Sequence, residues 1–214
     1  MRSFISILFF LHVYANGEGA GLEILQSRKP CVGKYSNYKV IQFKTKSGKI
    51  GRWEILNTIR HPSPDNVNGV SAIVRVRNAT GTYFLFNKQF RVPTQSWTIE
   101  FPAGVVDTNE TAKEAALREL REETGYHAAN VTFESKGRQP TFSSRTDDLQ
   151  KHVLIDCQST DLKQASPEDE ELTYPLFIKE SDLWHEIRRL ETKYDIASNV
   201  YTFAMGIAIR DGLI

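Results

Sequence analysis

From Gly104 to Tyr126 the chain reads GVVDTNETAKEAALRELREETGY, and this stretch leaves its backbone the fewest choices. Thr111, with Glu114 three positions on, is a capping box and predicts a helix opening near Ala112. Ala, Leu, Glu and Arg carry the helix forward, and Gly125 is suited to end it. The length is about three and a half turns. In such a helix Glu119, Glu122 and Glu123 stand at i, i+3 and i+4 and share one face, while Leu117 and Leu120 turn aside to anchor on a core. Like charges at these spacings repel by roughly 0.2–0.5 kcal/mol per pair. Two arrangements would relieve them. Arg118 and Arg121 can pair with the glutamates on a solvated helix, or a hard divalent cation such as Mg²⁺ or Mn²⁺ can take carboxylate ligands and share its shell with water and phosphate oxygens.

The rest of the stretch bears on the choice through a resemblance. Gly104 is followed after five residues by Glu110, after seven more by Arg118-Glu119-Leu120, then Glu122-Glu123 and Gly125-Tyr126. This resembles the signature of the Nudix hydrolase family, G-x5-E-x7-R-E-U-x-E-E-x-G-U, where U is a bulky aliphatic residue. Tyr126 at the last aliphatic place is the one departure, and it removes no catalytic group. The resemblance implies an α/β fold, the Nudix α/β/α sandwich with a mixed sheet. It also implies hydrolysis of a nucleoside diphosphate linked to another group, with water attacking phosphorus and Mg²⁺, or Mn²⁺, holding the pyrophosphate. By the same resemblance Glu119, Glu123 and the Ala103 carbonyl are the metal ligands and Glu122 is a catalytic carboxylate nearby. Arg118 would orient a glutamate from behind, and Glu110 would steady the loop or the outer metal waters.

Around this stretch, 40% hydrophobic and 25% charged residues in 214 describe a globular chain with core enough for one full domain and a small extra one. A formal net charge of +1 offers no broad cationic field, which argues against nucleic-acid coating and leaves anionic ligands to local clusters. Cys31 and Cys157 are too few for a zinc pattern or a disulfide scaffold. Residues 1–21 read as an extension. Arg2 and the mostly apolar run from Phe4 to Ala15 have the layout of a short secretory signal, too short to span a bilayer as a helix. Against export, glycosylation triplets begin at Asn78, Asn109 and Asn130, and a glycan on Asn109 would crowd the signature loop. The expectation is a cytoplasmic protein that engages no membrane and no nucleic acid, with the secretory pathway as the alternative if residues 1–15 act as a signal.

Residues 22–65 read as a small β subdomain: a strand over Tyr35–Phe43, a turn at Lys46-Ser47-Gly48-Lys49, and a strand over Gly51–Ile59. A lone hairpin is marginal in water, so it should lean on the main domain or on a second copy. Residues 66–214 form the main domain. Strands are expected at Val70–Arg77, Thr82–Arg91, Trp97–Phe101, Val131–Lys136 and His152–Cys157, and further helices at Ser181–Lys193 and Val200–Arg210.

Outside the signature, Gln89-Phe90-Arg91 and the run from Trp97 through Glu100-Phe101-Pro102-Ala103-Gly104 resemble the QxR and E-x-P-A-G segments of eukaryotic ADP-sugar pyrophosphatases, which cleave ADP-ribose to AMP and ribose 5-phosphate. That subgroup implies a pyrophosphate contact at Arg91, a substrate-binding place at Glu100, and aromatic rings at Tyr35 and Trp53 that sandwich the adenine, one of them lent by the partner of a homodimer. Tyr35 replaces the usual tryptophan and keeps a stacking face. The bland alternatives are a surface ion pair for Arg91 and hairpin core for Trp53. The acidic run Pro167–Glu171 corresponds to a mobile loop whose glutamate activates the water, Glu171 or else Glu170; otherwise it is a solvated turn. No glycine follows Pro140, where the subgroup often has a Pro-Gly pair beside the terminal sugar. Three functions therefore stand at this point: an ADP-sugar pyrophosphatase, a Nudix hydrolase of another nucleotide such as an oxidised nucleoside diphosphate or a dinucleotide, and a silent nucleotide-binding sensor. The intact glutamates argue against the sensor.

Overall fold

Strand periodicity and the capped helix organise most of the chain in the computed structural model, which describes residues 22–59, 62–127, 129–158 and 173–214. Contacts divide it into two units, the first ending at Leu56 and the second running from Asn57 to Ile214.

The first unit is a three-stranded sheet in the order β1 (Leu22–Val32), β2 (Ser36–Thr45), β3 (Ile50–Thr58). The hairpin expected from the sequence is β2 and β3, closed where the Thr45 N–H donates to the Lys49 carbonyl at 2.8 Å. Gly48 takes a φ of 83° in that turn, a conformation glycine adopts without penalty. The strand β1 is an addition to the sequence reading. Its polar run from Gln26 to Pro30 breaks the alternation that would mark a strand, and it pairs antiparallel with β2 through two register shifts.

In the second unit β4 (Gly69–Asn78) is central. One edge pairs in parallel with β10 (Leu149–Gln158). The other is shared between β7 (Ala103–Val105) at Gly69–Ser71 and β5 (Gly81–Arg91) at Val74–Asn78. From β5 the sheet continues to β6 (Ser96–Glu100) and then to β12 (Asp195–Ile196), and β5 also carries β11 (Thr173–Lys179). Beyond β10 lie β8 (Ala129–Glu134) and the two-residue β9 (Gln139–Pro140). Parallel and antiparallel pairs make the sheet mixed. Pro175 fits β11 because that strand pairs only with β5 among the described elements, and an edge position tolerates a missing N–H.

Alternation along β4 and β5 sorts the core into two layers. Val70, Ala72, Val74 and Val76 of β4, with Leu85 of β5, pack against Ala112, Ala115, Ala116 and Leu120 of α1 (Ala112–Thr124). Phe84 and Phe86 face the opposite way. They meet Leu183 and Ile187 of α2 (Leu183–Leu190), and Val200 and Ala204 of α3 (Ser198–Arg210). Helices thus cover both faces of the sheet. The second helix is shorter than its sequence pattern, because Glu180–Asp182 form a 3-10 turn ahead of it and Leu190 ends it. Among the described residues no helix is long and apolar enough to cross a membrane.

Candidate active site

The helix α1 is built as its sequence dictates. The Thr111 hydroxyl accepts from the Glu114 N–H, the Glu114 carboxylate accepts from the Thr111 N–H, and Gly125 closes the helix at φ 78°. A third device comes from far away in the chain: the Ala112 N–H donates to Asp65 Oδ2 at 2.7 Å. The other Asp65 oxygen takes the Lys151 ammonium, which also reaches Glu134 Oε1 at 2.7 Å. Lys151 is buried between two carboxylates that compensate its charge. Burial alone would depress its pKa, but the hydrogen bonds and charges of Asp65 and Glu134 raise it on balance. For Asp65, burial pushes upward and is outweighed by Lys151 and the Ala112 N–H, so its carboxyl sits below its ordinary value.

Arg118 is the hub of the signature. It donates five hydrogen bonds: a fork to both oxygens of Glu110, one to Glu119 at 2.7 Å, one to Glu122 at 3.2 Å and one to the Val105 carbonyl at 2.9 Å. That uses the full donor set of a guanidinium and ties α1 to β7. The hydrogen bonds with Glu110 and Glu119 push its pKa well up despite burial. Arg118 in turn holds the Glu110 carboxyl below its usual range. Glu110 also accepts from the Asp107 N–H at 3.0 Å, so it fixes the turn before the helix, where Asn109 adopts a left-handed φ of 64°.

Gly104 explains the start of the signature. A Cβ placed there would lie 1.9 Å from the Glu119 carboxyl carbon, so only glycine lets that carboxylate rest against β7. Ala103 immediately precedes it, paired with Ser71 of β4. Glu123 is half-buried with its Oε2 atom buried, and Glu122 is exposed apart from its contact with Arg118.

Glu119, Glu122 and Glu123 on α1 and the Ala103 carbonyl on β7 are hard oxygen donors, the type that Mg²⁺ or Mn²⁺ takes. Among the described residues no group of three or more His, Cys, Asp or Glu side chains stands close enough to enclose a metal ion. Two glutamates and a carbonyl, one of the carboxylates pressed against backbone by Gly104, suit a cation that keeps much of its water shell.

The structure also brings Arg91 and Glu100 together. The guanidinium forks both Glu100 oxygens at 2.8 Å across β5 and β6. Glu100 is three residues ahead of Ala103, so this pair leads directly into β7. Tyr35 and Trp53 belong to the first unit, where Tyr35 is 71% and Trp53 49% exposed; Trp53 is therefore not hairpin core. Glu170 and Glu171 lie outside the described residues, as does the apolar run at the N-terminus. The sequence reading missed Asp65 and Lys151. Asp65 sits in a proline-bounded linker, and no local pattern joins it to a lysine 86 positions away.

The NUDIX domain model matches residues 67–201. A Caenorhabditis elegans protein whose name assigns it to the nudix hydrolases is 34% identical over 182 residues, 82% of this chain and 80% of its own. The ADP-sugar pyrophosphatase of Mus musculus is 26% identical over 185 residues, 83% of each chain. Among solved structures an ADP compounds hydrolase shares the fold at a TM-score of 0.59 and 17% identity, over 90% of this chain and 94% of that one.

Proposed function

The chain belongs to the Nudix hydrolase family, and from that premise we propose that it hydrolyses the pyrophosphate bond of ADP-ribose or a related ADP-sugar, releasing AMP and a sugar phosphate. The observation that carries the reading is the Gly104–Glu119 contact. It rests a carboxylate from the middle of α1 against the β7 backbone, beside Arg118, which holds both Glu119 and Glu122. The mouse relative's name and the resemblance around Gln89–Arg91 and Glu100–Gly104 support the ADP-sugar class.

Nudix hydrolases in general use divalent metal ions. Here Glu119, Glu123 and the Ala103 carbonyl would hold the ion, Mg²⁺ by preference and Mn²⁺ as a substitute. Bound there, the ion neutralises pyrophosphate oxygens and lowers the pKa of water. Arg118 orients Glu119 and Glu122 through its hydrogen bonds. Glu171, with Glu170 as the alternative, takes the proton of the attacking water. Arg91, steadied by Glu100, offers a planar guanidinium to the pyrophosphate. Tyr35 and Trp53 stack on the adenine, one ring coming from a second copy of the chain, and their exposure in a single copy supports a homodimer. The protein acts in the cytoplasm, where Asn109 in the signature loop stays free of glycan.

A substrate panel tests the proposal. Purified protein with Mg²⁺ is given ADP-ribose, a second ADP-sugar, an oxidised guanosine diphosphate and a dinucleotide, and products are separated by ion exchange. AMP release from the ADP-sugars above the other two is expected. Turnover of the guanine nucleotide alone would move the specificity, and binding without turnover of any would favour a sensor.

A further inference from the structure

Beyond Leu85 the face of β5 that packs toward α1 turns polar. Asn87, Gln89 and Arg91 follow at every second residue and so share that face. Register places Glu100 opposite Asn87 and Thr98 opposite Gln89 on β6, and Thr173 opposite Gln89 on β11. Residues directly opposite one another lie on the same face. Asn87 is 2% and Thr173 6% exposed, and among the described residues neither Asn87 Oδ1 nor Thr173 Oγ1 finds a hydrogen-bond partner. Around Asn87, Glu100 opposite on β6 accepts the Arg91 fork and brings no donor, and Pro175 opposite on β11 has no N–H to offer.

Two buried polar oxygens without partners, on diagonal residues of neighbouring strands, are expensive to keep. Diagonal neighbours of this kind stand about 7–8 Å apart, a gap that a sugar ring spans. Neither group is charged, so they do not match a phosphate; an amide oxygen accepts and a threonine hydroxyl does both, which matches sugar hydroxyls. The Arg91–Glu100 fork stands on the same face, with Glu100 directly opposite Asn87 across β5 and β6. Resting on the ADP-sugar reading above, we infer that Asn87 and Thr173 form a hydroxyl-reading subsite that sets which sugar of the nucleoside diphosphate derivative is accepted.

The test uses the full chain with Asn87→Leu, Thr173→Val and the double variant, each removing hydrogen bonding at nearly constant volume. Wild type and variants are compared on ADP-ribose and on analogues lacking one hydroxyl at a time from either ribose, with melting temperatures measured in parallel. Wild type should prefer ADP-ribose to at least one deoxy analogue by about tenfold or more, and each variant should raise KM for ADP-ribose by about tenfold, hold kcat and lose that preference. The variants should melt at or above the wild-type temperature, since a desolvated polar group has been removed. Unchanged KM and preference, or lower melting with unchanged KM, would assign the pair to internal packing or buried water and overturn the subsite alone. If wild type cleaves no ADP-sugar, the parent reading fails and the subsite with it.

Discussion

The first unit exposes most of its described large apolar side chains and buries little, whereas the second, although Phe133, Phe142 and Phe177 are exposed as well, closes two buried apolar layers. In the first unit Val32, Tyr35, Ile50, Trp53 and Leu56 are exposed, and among its described residues Ile55 is the buried apolar one. In the sandwich Val74, Leu85, Leu120, Ile155, Leu183 and Ile187 are all fully buried. The difference teaches where each unit's stability comes from. The sandwich supplies its own hydrophobic contacts, and it fastens α1 with polar ones; the small sheet has too little core to be independent and has an apolar surface to offer to something else.

Removing one member of a buried charge cluster separates the units most strongly. Lys151→Met leaves Asp65 and Glu134 facing each other and should destabilise the second unit by about 3–5 kcal/mol, read by urea denaturation. Glu54→Gln in the first unit, where the Arg52–Glu54 pair is exposed, should leave the midpoint where it was. Equal effects would erase the contrast. Next in size, Gly104→Ala drives the Glu119 carboxylate from its place and should lower kcat/KM about a hundredfold with little change in melting temperature. In the first unit Trp53→Ala should raise KM by roughly tenfold or less, keep kcat, and shift the mass in light scattering toward the monomer. A wild-type monomer would defeat the shared-ring arrangement.

The smallest effect is on pH dependence. Asp65 and Glu110 have folded pKa values below their unfolded ones, so their stabilisation is complete above about pH 4 and is lost as the pH falls through the folded values. Lys151 is raised, so its share is complete below about pH 10 and fades as the pH rises through its folded value. Melting temperature should therefore be flat across neutrality and fall in acid, and Lys151→Met should soften the acid fall. An unaltered acid limb in that variant would remove Asp65 from the account.

What could be read in the sequence was what the chain encodes locally. The Thr111–Glu114 box and Gly125 bracket α1 within a single stretch, and the alternation of β4, β5 and β10 is plain. The short strands β7, β9 and β12 are too brief to carry a period, and β11 hides behind Pro175. At the site, the glutamates and Arg118 could be identified because a helix fixes their spacing. The Asp65–Lys151–Glu134 cluster could not, since it joins a linker and two strands that only the fold makes neighbours. Asn87 and Thr173 look like ordinary strand polar residues until pairing shows them buried together.

Product release from ADP-ribose tests the central claim most directly: AMP and ribose 5-phosphate are followed with wild type and Glu119→Gln, each with Mg²⁺ and with a chelator. Release by wild type with Mg²⁺ alone, and its loss by a thousandfold or so in the variant at equal melting temperature, is the predicted result. Release that survives the chelator, or a variant as active as wild type, would contradict a metal-assisted hydrolase built on Glu119.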